Sequence, residues 1–125
     1  MSTVSVRYIV TDVASAIRFY TEYLQFKLVM NPAPGFAALD RDDLRLLLNA
    51  PGAGGAGAAM PDGSKPGPGG WNRFQVQVTD LKATVDELKK KGVHFRSEII
   101  EGMGGLQILL DDPSGNPIEL FQSTR

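Results

Sequence analysis

"DPSGNPIELFQ", residues 112–122, closes the last hydrophobic run of the chain and sets a carboxylate, Glu119, between Ile118 and Leu120. The first six residues carry Pro, Gly and Asn, which supply turn chemistry. The remaining five alternate in character. Ile118 and Leu120 therefore point to one face of a strand, and Glu119 and Phe121 to the other. Leu106–Leu110 is the apolar run that the turn doubles back from. Whether Glu119 meets water, a metal or a ligand on its face is the functional question.

Working outward, the same pattern occurs twice. "VRYIVTDVASAIRFYTEYLQF" begins one copy and "RFQVQVTDLKATVDELKKKGVHF" the other, with "VTD" at 10–12 and 78–80 setting the register. Each copy has a short alternating strand, then an amphipathic helix. Val13, Ile17, Tyr20 and Leu24 share one helical face, as do Leu81, Val85 and Leu88. Thr11/Asp12 and Thr79/Asp80 are suited to cap these helices. Gly92 suits a left-handed exit from the second, whereas Gln25 in the first predicts a different exit. Three strands should follow each helix: Lys27–Met30, Phe36–Leu39 and Leu44–Asn49, then His94–Ser97 with an extension to Ile100 left open, Leu106–Leu110 and Ile118–Gln122. Arg41–Asp43 reads as a hairpin turn. Each half is β-α-β-β-β.

Between the halves, residues 50–70 hold eight of the 14 glycines and four of the eight prolines. Such a composition buries too little apolar surface to order itself, which predicts a linker or flap with Met60 and Trp71 as apolar anchors. No Gly-Lys-Ser/Thr follows the glycines, so this is no phosphate loop.

Bulk composition narrows the function classes. A length of 125 residues is most simply one domain. With 13 basic and 14 acidic residues, net charge −1, no field favours nucleic acid or an anionic membrane. Lys89–Lys91 falls at the end of the second helix, where cations complement the dipole. The chain has no cysteine, which excludes disulfides, thiolate catalysis and cysteine zinc sites. No signal-peptide pattern and no apolar stretch of ~20 residues is present, so a cytoplasmic protein is expected.

The two modules, the paired "VTD" starts, "RFYTEYL" on the first helix and the closing "DPSGNPIELFQ" together resemble the vicinal oxygen chelate superfamily. That group includes glyoxalase I, bleomycin-resistance proteins, fosfomycin-resistance enzymes, extradiol dioxygenases and methylmalonyl-CoA epimerase. The resemblance implies an α+β fold in one domain, 1–125, with module 1 over 1–49, the linker over 50–70 and module 2 over 71–125. Two βαβββ modules would form a cupped mixed sheet with helices on its convex face. The cup would enclose a small molecule and often a divalent metal, and such chains resemble homodimers. In metal-binding members the ligands come from the first strand of each module and from the last. Glu119 takes the last-strand glutamate position.

Its partners at the family's positions are poor donors. Counting back from Asp12 and Asp80 lands on Ser5 and Arg73. Arginine has no lone pair to give, and a serine hydroxyl is a weak ligand. The last strand of module 1 offers Arg45 and Leu47. One carboxylate is not a metal site, so no cofactor is expected. A metal stays open through a shifted register at Gln75 or Gln77, or through a dimer partner. His94, in "GVHF", reads as a structural histidine or as a ligand-contacting, proton-transferring one.

Alternation then fills the cup. Ser5, Arg7 and Ile9 oppose Val6, Tyr8 and Val10, while Arg73, Gln75 and Gln77 oppose Phe74, Val76 and Val78. With Glu119, Phe121 and Arg45 the concave face becomes polar and partly cationic. Arg7 and Arg73 are candidates to hold an oxygen-rich ligand, with Glu119 pairing one arginine. Trp71, Phe36 and Phe121 offer stacking surfaces, Trp71 being equally readable as a core anchor. Three functions fit. One is a metal-free binder of a polar or anionic, partly aromatic molecule. Another is a metal-dependent lyase, isomerase, dioxygenase or thiol transferase. The last is a metal-free enzyme with Glu119 or His94 as base.

Overall fold

The computed structural model describes residues 4–124. The chain forms two compact units, the first ending at Gly69 and the second starting at Gly70. In the first, β1 (Val4–Ile9) leads to α1 (Val13–Tyr23), then β2 (Lys27–Ala33), β3 (Phe36–Arg41), β4 (Leu44–Asn49) and a single turn, α2 (Gly54–Gly57). The second holds β5 (Gln75–Gln77), α3 (Leu81–Lys90), β6 (Ile100–Glu101), β7 (Gly105–Asp111) and β8 (Pro117–Ser123). Each unit carries a four-stranded mixed sheet, ordered β1-β4-β3-β2 and β5-β8-β7-β6. In both, the first strand runs parallel to the last and the rest are antiparallel. The class is α+β.

Alternation decides which strand residues enter the core. Tyr8 and Val10 are buried, with Leu46, Leu48, Ala37 and Leu39, against Val13, Ala16, Phe19 and Tyr20 of α1. Tyr20 meets Phe19 and Phe26 edge-on at 5.1 and 5.4 Å. In the second unit Val76, Ile108, Leu110, Ile118 and Leu120 are buried, as are Leu81, Val85 and Leu88 of α3. Burying each such leucine or isoleucine contributes about 1.5–3 kcal/mol. Phe19 and Ala16 widen the core stripe of α1 beyond the expected Val13–Ile17–Tyr20–Leu24 line, and Ile17 is only half-buried.

Both helices are capped by the aspartate of "VTD". Asp12 accepts from the Ala14 and Ser15 amides and Asp80 from Ala83. Gln122 of β8 adds a second cap, its Oε1 accepting from the Leu81 amide at 2.7 Å. The exits differ less than Gln25 predicts. Gln25 takes the left-handed conformation (φ 58°), as Gly92 does (φ 85°). What differs is the closing bond: Phe26 N–H reaches Tyr20, six residues back, and Val93 N–H reaches Leu88, five back.

Other expectations are revised. β2 runs on to Ala33, with irregular pairing to β3 on either side of Met30. His94–Ser97 is not a strand but a single bridge, Phe95 to Leu110. Bonds from Arg96 N–H to Leu109 and from Asp111 N–H to His94 flank that bridge, and the chain then bends where Ser97 Oγ donates to the Glu98 carbonyl. Residues 50–57 order themselves through backbone hydrogen bonds rather than apolar burial. Ala50 N–H bonds Gly35, Ala53 N–H bonds Ala50 and Gly57 N–H bonds Ala53. Gly57 is needed there, since a Cβ would lie 2.3 Å from the Ala50 carbonyl oxygen. Met60 and Trp71, expected as apolar anchors, are 48% and 69% exposed.

Candidate functional site

The closing turn sets the register of the second sheet. The Asp112 carboxylate, buried, accepts from Ser114 N–H, Asn116 N–H and Asn116 Nδ2 at 2.8–3.0 Å. Gly115 takes a left-handed φ of 85°. Asp111 thus pairs with Pro117, Leu109 with Glu119 and Gln107 with Phe121, while β5 places Gln75 beside Glu119 and Gln77 beside Phe121. Glu119 is delivered to the face opposite Ile118 and Leu120.

There it is 8% exposed and fully engaged. Arg73 approaches Oε1 through Nε at 3.1 Å and Nη2 at 3.0 Å. Gln75 Nε2 donates to Oε2 at 2.7 Å. Arg73 is tied in turn to the Trp71 carbonyl by Nη1, 3.2 Å away. A guanidinium and an amide therefore flank the carboxylate, balancing its charge and giving each oxygen a donor. Gln77 is exposed at the end of β5. Phe121 is half-buried, its ring over Gly105, where a Cβ would come 2.9 Å from the ring's Cζ.

Trp71 stacks on Arg96, whose guanidinium centre lies 4.8 Å from the ring. Arg96 donates to Asp111 at 2.8 Å, to the Gly70 carbonyl at 3.1 Å and to the Gly115 carbonyl at 3.2 Å. His94, its side chain 73% exposed, shares Asp111 through Nδ1 at 2.9 Å. Arg96 and Asp111 thus pin the entry to β5, and through Trp71 they abut Arg73. Their separation of 15 residues gives no local sequence signal, so only the fold brings them together.

In the first unit, the corresponding face carries Arg7, Asn49, Phe36 and Arg45. Arg7 Nη1 donates to Asn49 Oδ1 at 2.5 Å. Arg45 pairs across to Asp40 of β3, Nε to Oδ1 at 2.9 Å. The hydrogen bond and charge of Arg45 hold the Asp40 carboxyl below its ordinary range and raise Arg45 in return. Asn49 and Asp40 were not singled out from sequence, although both share the alternating face of Arg45 and were legible there. The pairing of Leu47 with Arg7 matches that of Glu119 with Gln75. Leu47 thus stands in the first unit where Glu119 stands in the second.

This donor set does not fit a divalent metal. The ligand positions expected from the resemblance hold Ser5, Leu47 or Arg45, and Arg73, and the last is already bonded to Glu119. Among the described residues no three His, Cys, Asp or Glu side chains group to hold an ion.

Comparison with known proteins bears on the fold. A structure from Sphaerobacter thermophilus, described as a member of the glyoxalase/bleomycin resistance protein/dioxygenase superfamily, superposes with a TM-score of 0.77 at 22% identity, covering 98% of both chains. TnmS3, an antibiotic binding protein from a Streptomyces species, gives 0.73 at 23% identity over 99% of this chain and 97% of that one. A lactoylglutathione lyase from Agrobacterium tumefaciens gives 0.71 at 21% identity over 97% and 92%. No curated protein matches the chain. The family model described as Glyoxalase/Bleomycin resistance protein/Dioxygenase superfamily matches residues 3–120. With its paired βαβββ units, the chain belongs to that superfamily.

Proposed function

We propose that this protein binds a small polar or anionic, partly aromatic molecule and does so without a catalytic metal. The Arg73–Glu119–Gln75 cluster carries the reading. A guanidinium sits on the one carboxylate that the resemblance would give to a metal, so the positive charge there is intrinsic to the chain. Arg73 and Gln75 retain N–H groups for ligand oxygens, and Phe121 and the exposed Trp71 offer apolar surface beside them. The antibiotic binding described for TnmS3 is in keeping with a binding role. We take the working form to be a cytoplasmic homodimer.

Metal content of the purified, dialysed protein tests this, with Glu119→Ala beside it. The expected outcome is far less than one equivalent in both, even after divalent ions are added. Near-stoichiometric metal in the unaltered protein, lost in Glu119→Ala, would overturn the reading in favour of a metal-dependent enzyme.

A further inference from the structure

Arg41, Arg45, Arg73 and Arg96 each face a carboxylate, on Asp42, Asp40, Glu119 and Asp111. Arg7 of β1 pairs with no carboxylate among the described residues. Its side-chain partner is the neutral amide oxygen of Asn49. Asn49 is itself 4% exposed, and its Nδ2 lies 3.4 Å from the Ala53 carbonyl oxygen. The guanidinium is thus held at one nitrogen by a buried group that orients it and leaves its charge unbalanced. Among the described residues one N–H of five is engaged, and the fork retains an edge for a bidentate acceptor.

Arg7 and Asn49 border a cavity of about 470 Å³ whose further walls include Pro32, Phe36, Ala53 and Ala56. That volume is in the range of small-molecule sites. The wall is made smooth by close approach. A Cβ on Gly35 would lie 2.5 Å from Ala53 Cβ, so the turn between β2 and β3 and the residue before α2 meet where a larger side chain would collide. The cavity offers one oriented cation, the Asn49 amide that holds it, one ring and otherwise alanine, proline and glycine. A phosphate group, with more charge and three strong acceptor oxygens, would call for more donors than this. A planar monoanion on a flat apolar body matches the set.

We propose that this cavity holds the carboxylate end of an aromatic carboxylic acid. The carboxylate lies on the free edge of Arg7, and the ring lies along Phe36 and the alanine wall. The assignment rests on the small-molecule-binding reading above, and adds the ligand's class and the seat of its charged end.

Calorimetric titration of the full chain with benzoate, and with benzamide as its neutral counterpart, tests it. Benzoate should bind and benzamide should bind at least about tenfold more weakly, the difference expected for one charge-assisted contact. Arg7→Gln should weaken benzoate by roughly 10- to 100-fold. Arg18→Gln, on an exposed position of α1, should leave it unchanged. Ala56→Leu, which narrows the cavity and touches no charge, should weaken both compounds. Arg7 is exposed, so its variant is expected to keep the native circular dichroism and remain a valid test.

The assignment is overturned if benzoate fails to bind, if benzamide binds equally, or if folded Arg7→Gln binds benzoate as before. Benzoate binding kept in Arg7→Gln and lost in Arg73→Gln would overturn this cavity while leaving small-molecule binding intact. Metal bound through Glu119 would overturn the metal-free reading and leave the Arg7 result to stand or fall by itself.

Discussion

A carboxylate shielded from water is tolerated as an anion only where its oxygens are bonded. Arg73 and Gln75 meet that condition at Glu119 and leave no oxygen without a donor. Asp40 shows the half-buried counterpart. Arg45 donates to it and holds its carboxyl below the ordinary value of 3.8. A depressed carboxyl contributes stability above its unfolded value, and loses it as pH falls through the lower folded one. Asp40→Asn should therefore lower the thermal midpoint slightly at neutral pH and not at all in strong acid. Melting curves of both proteins across the acid range would show the two lines converging as pH drops. The effect should shrink with added salt, since both side chains remain partly exposed to solvent.

At the scale of elements, the 112–116 turn governs the second sheet. Asp112 accepts three hydrogen bonds within it while buried. Asp112→Ala leaves those donors without their acceptor and should destabilise the chain by about 1–3 kcal/mol, measured by urea unfolding. The consequence for the face is larger than that energy. A one-residue slip of β8 would turn Glu119 toward the helix and Ile118 toward Arg73. The turn's type was legible from its Pro, Gly and Asn. The burial of Asp112 was not, because composition alone does not say which end of a turn folds inward. Residues 94–97 misread for a related reason. Their apolar alternation suits a strand, yet Arg96 is drawn to Asp111, Gly70 and Gly115, contacts that no local pattern reveals. The glycine-rich stretch after β4 misled in the opposite direction. Its order comes from backbone bonds around small residues, which hydrophobic periodicity does not register.

For the molecule as a whole, the duplicated strand–helix pattern was readable because it depends on side-chain periodicity and on "VTD", both local. Alternation likewise placed Arg73, Gln75, Glu119 and Phe121 on one side of their strands. That Arg45, Arg73 and Arg96 each meet a carboxylate while Arg7, among the described residues, meets a neutral amide was not readable, since it depends on Asp40, Glu119, Asp111 and Asn49 arriving from elsewhere in the sequence. The topology has a further consequence, in the order of events during folding. The β7–β8 hairpin closes through a short, self-bonded turn, whereas β5 joins β8 only after the intervening chain has looped back. Local pairs form fast and long closures slowly. Leu110→Ala on β7 should therefore slow refolding, and Val76→Ala on β5 should mainly hasten unfolding, a split that stopped-flow chevrons would display. Because β5 brings Gln75, with Arg73 just before it, Glu119 would cross the folding barrier still hydrated and meet its partners only afterwards. The polar face would then be the last feature the chain acquires and the first it gives up.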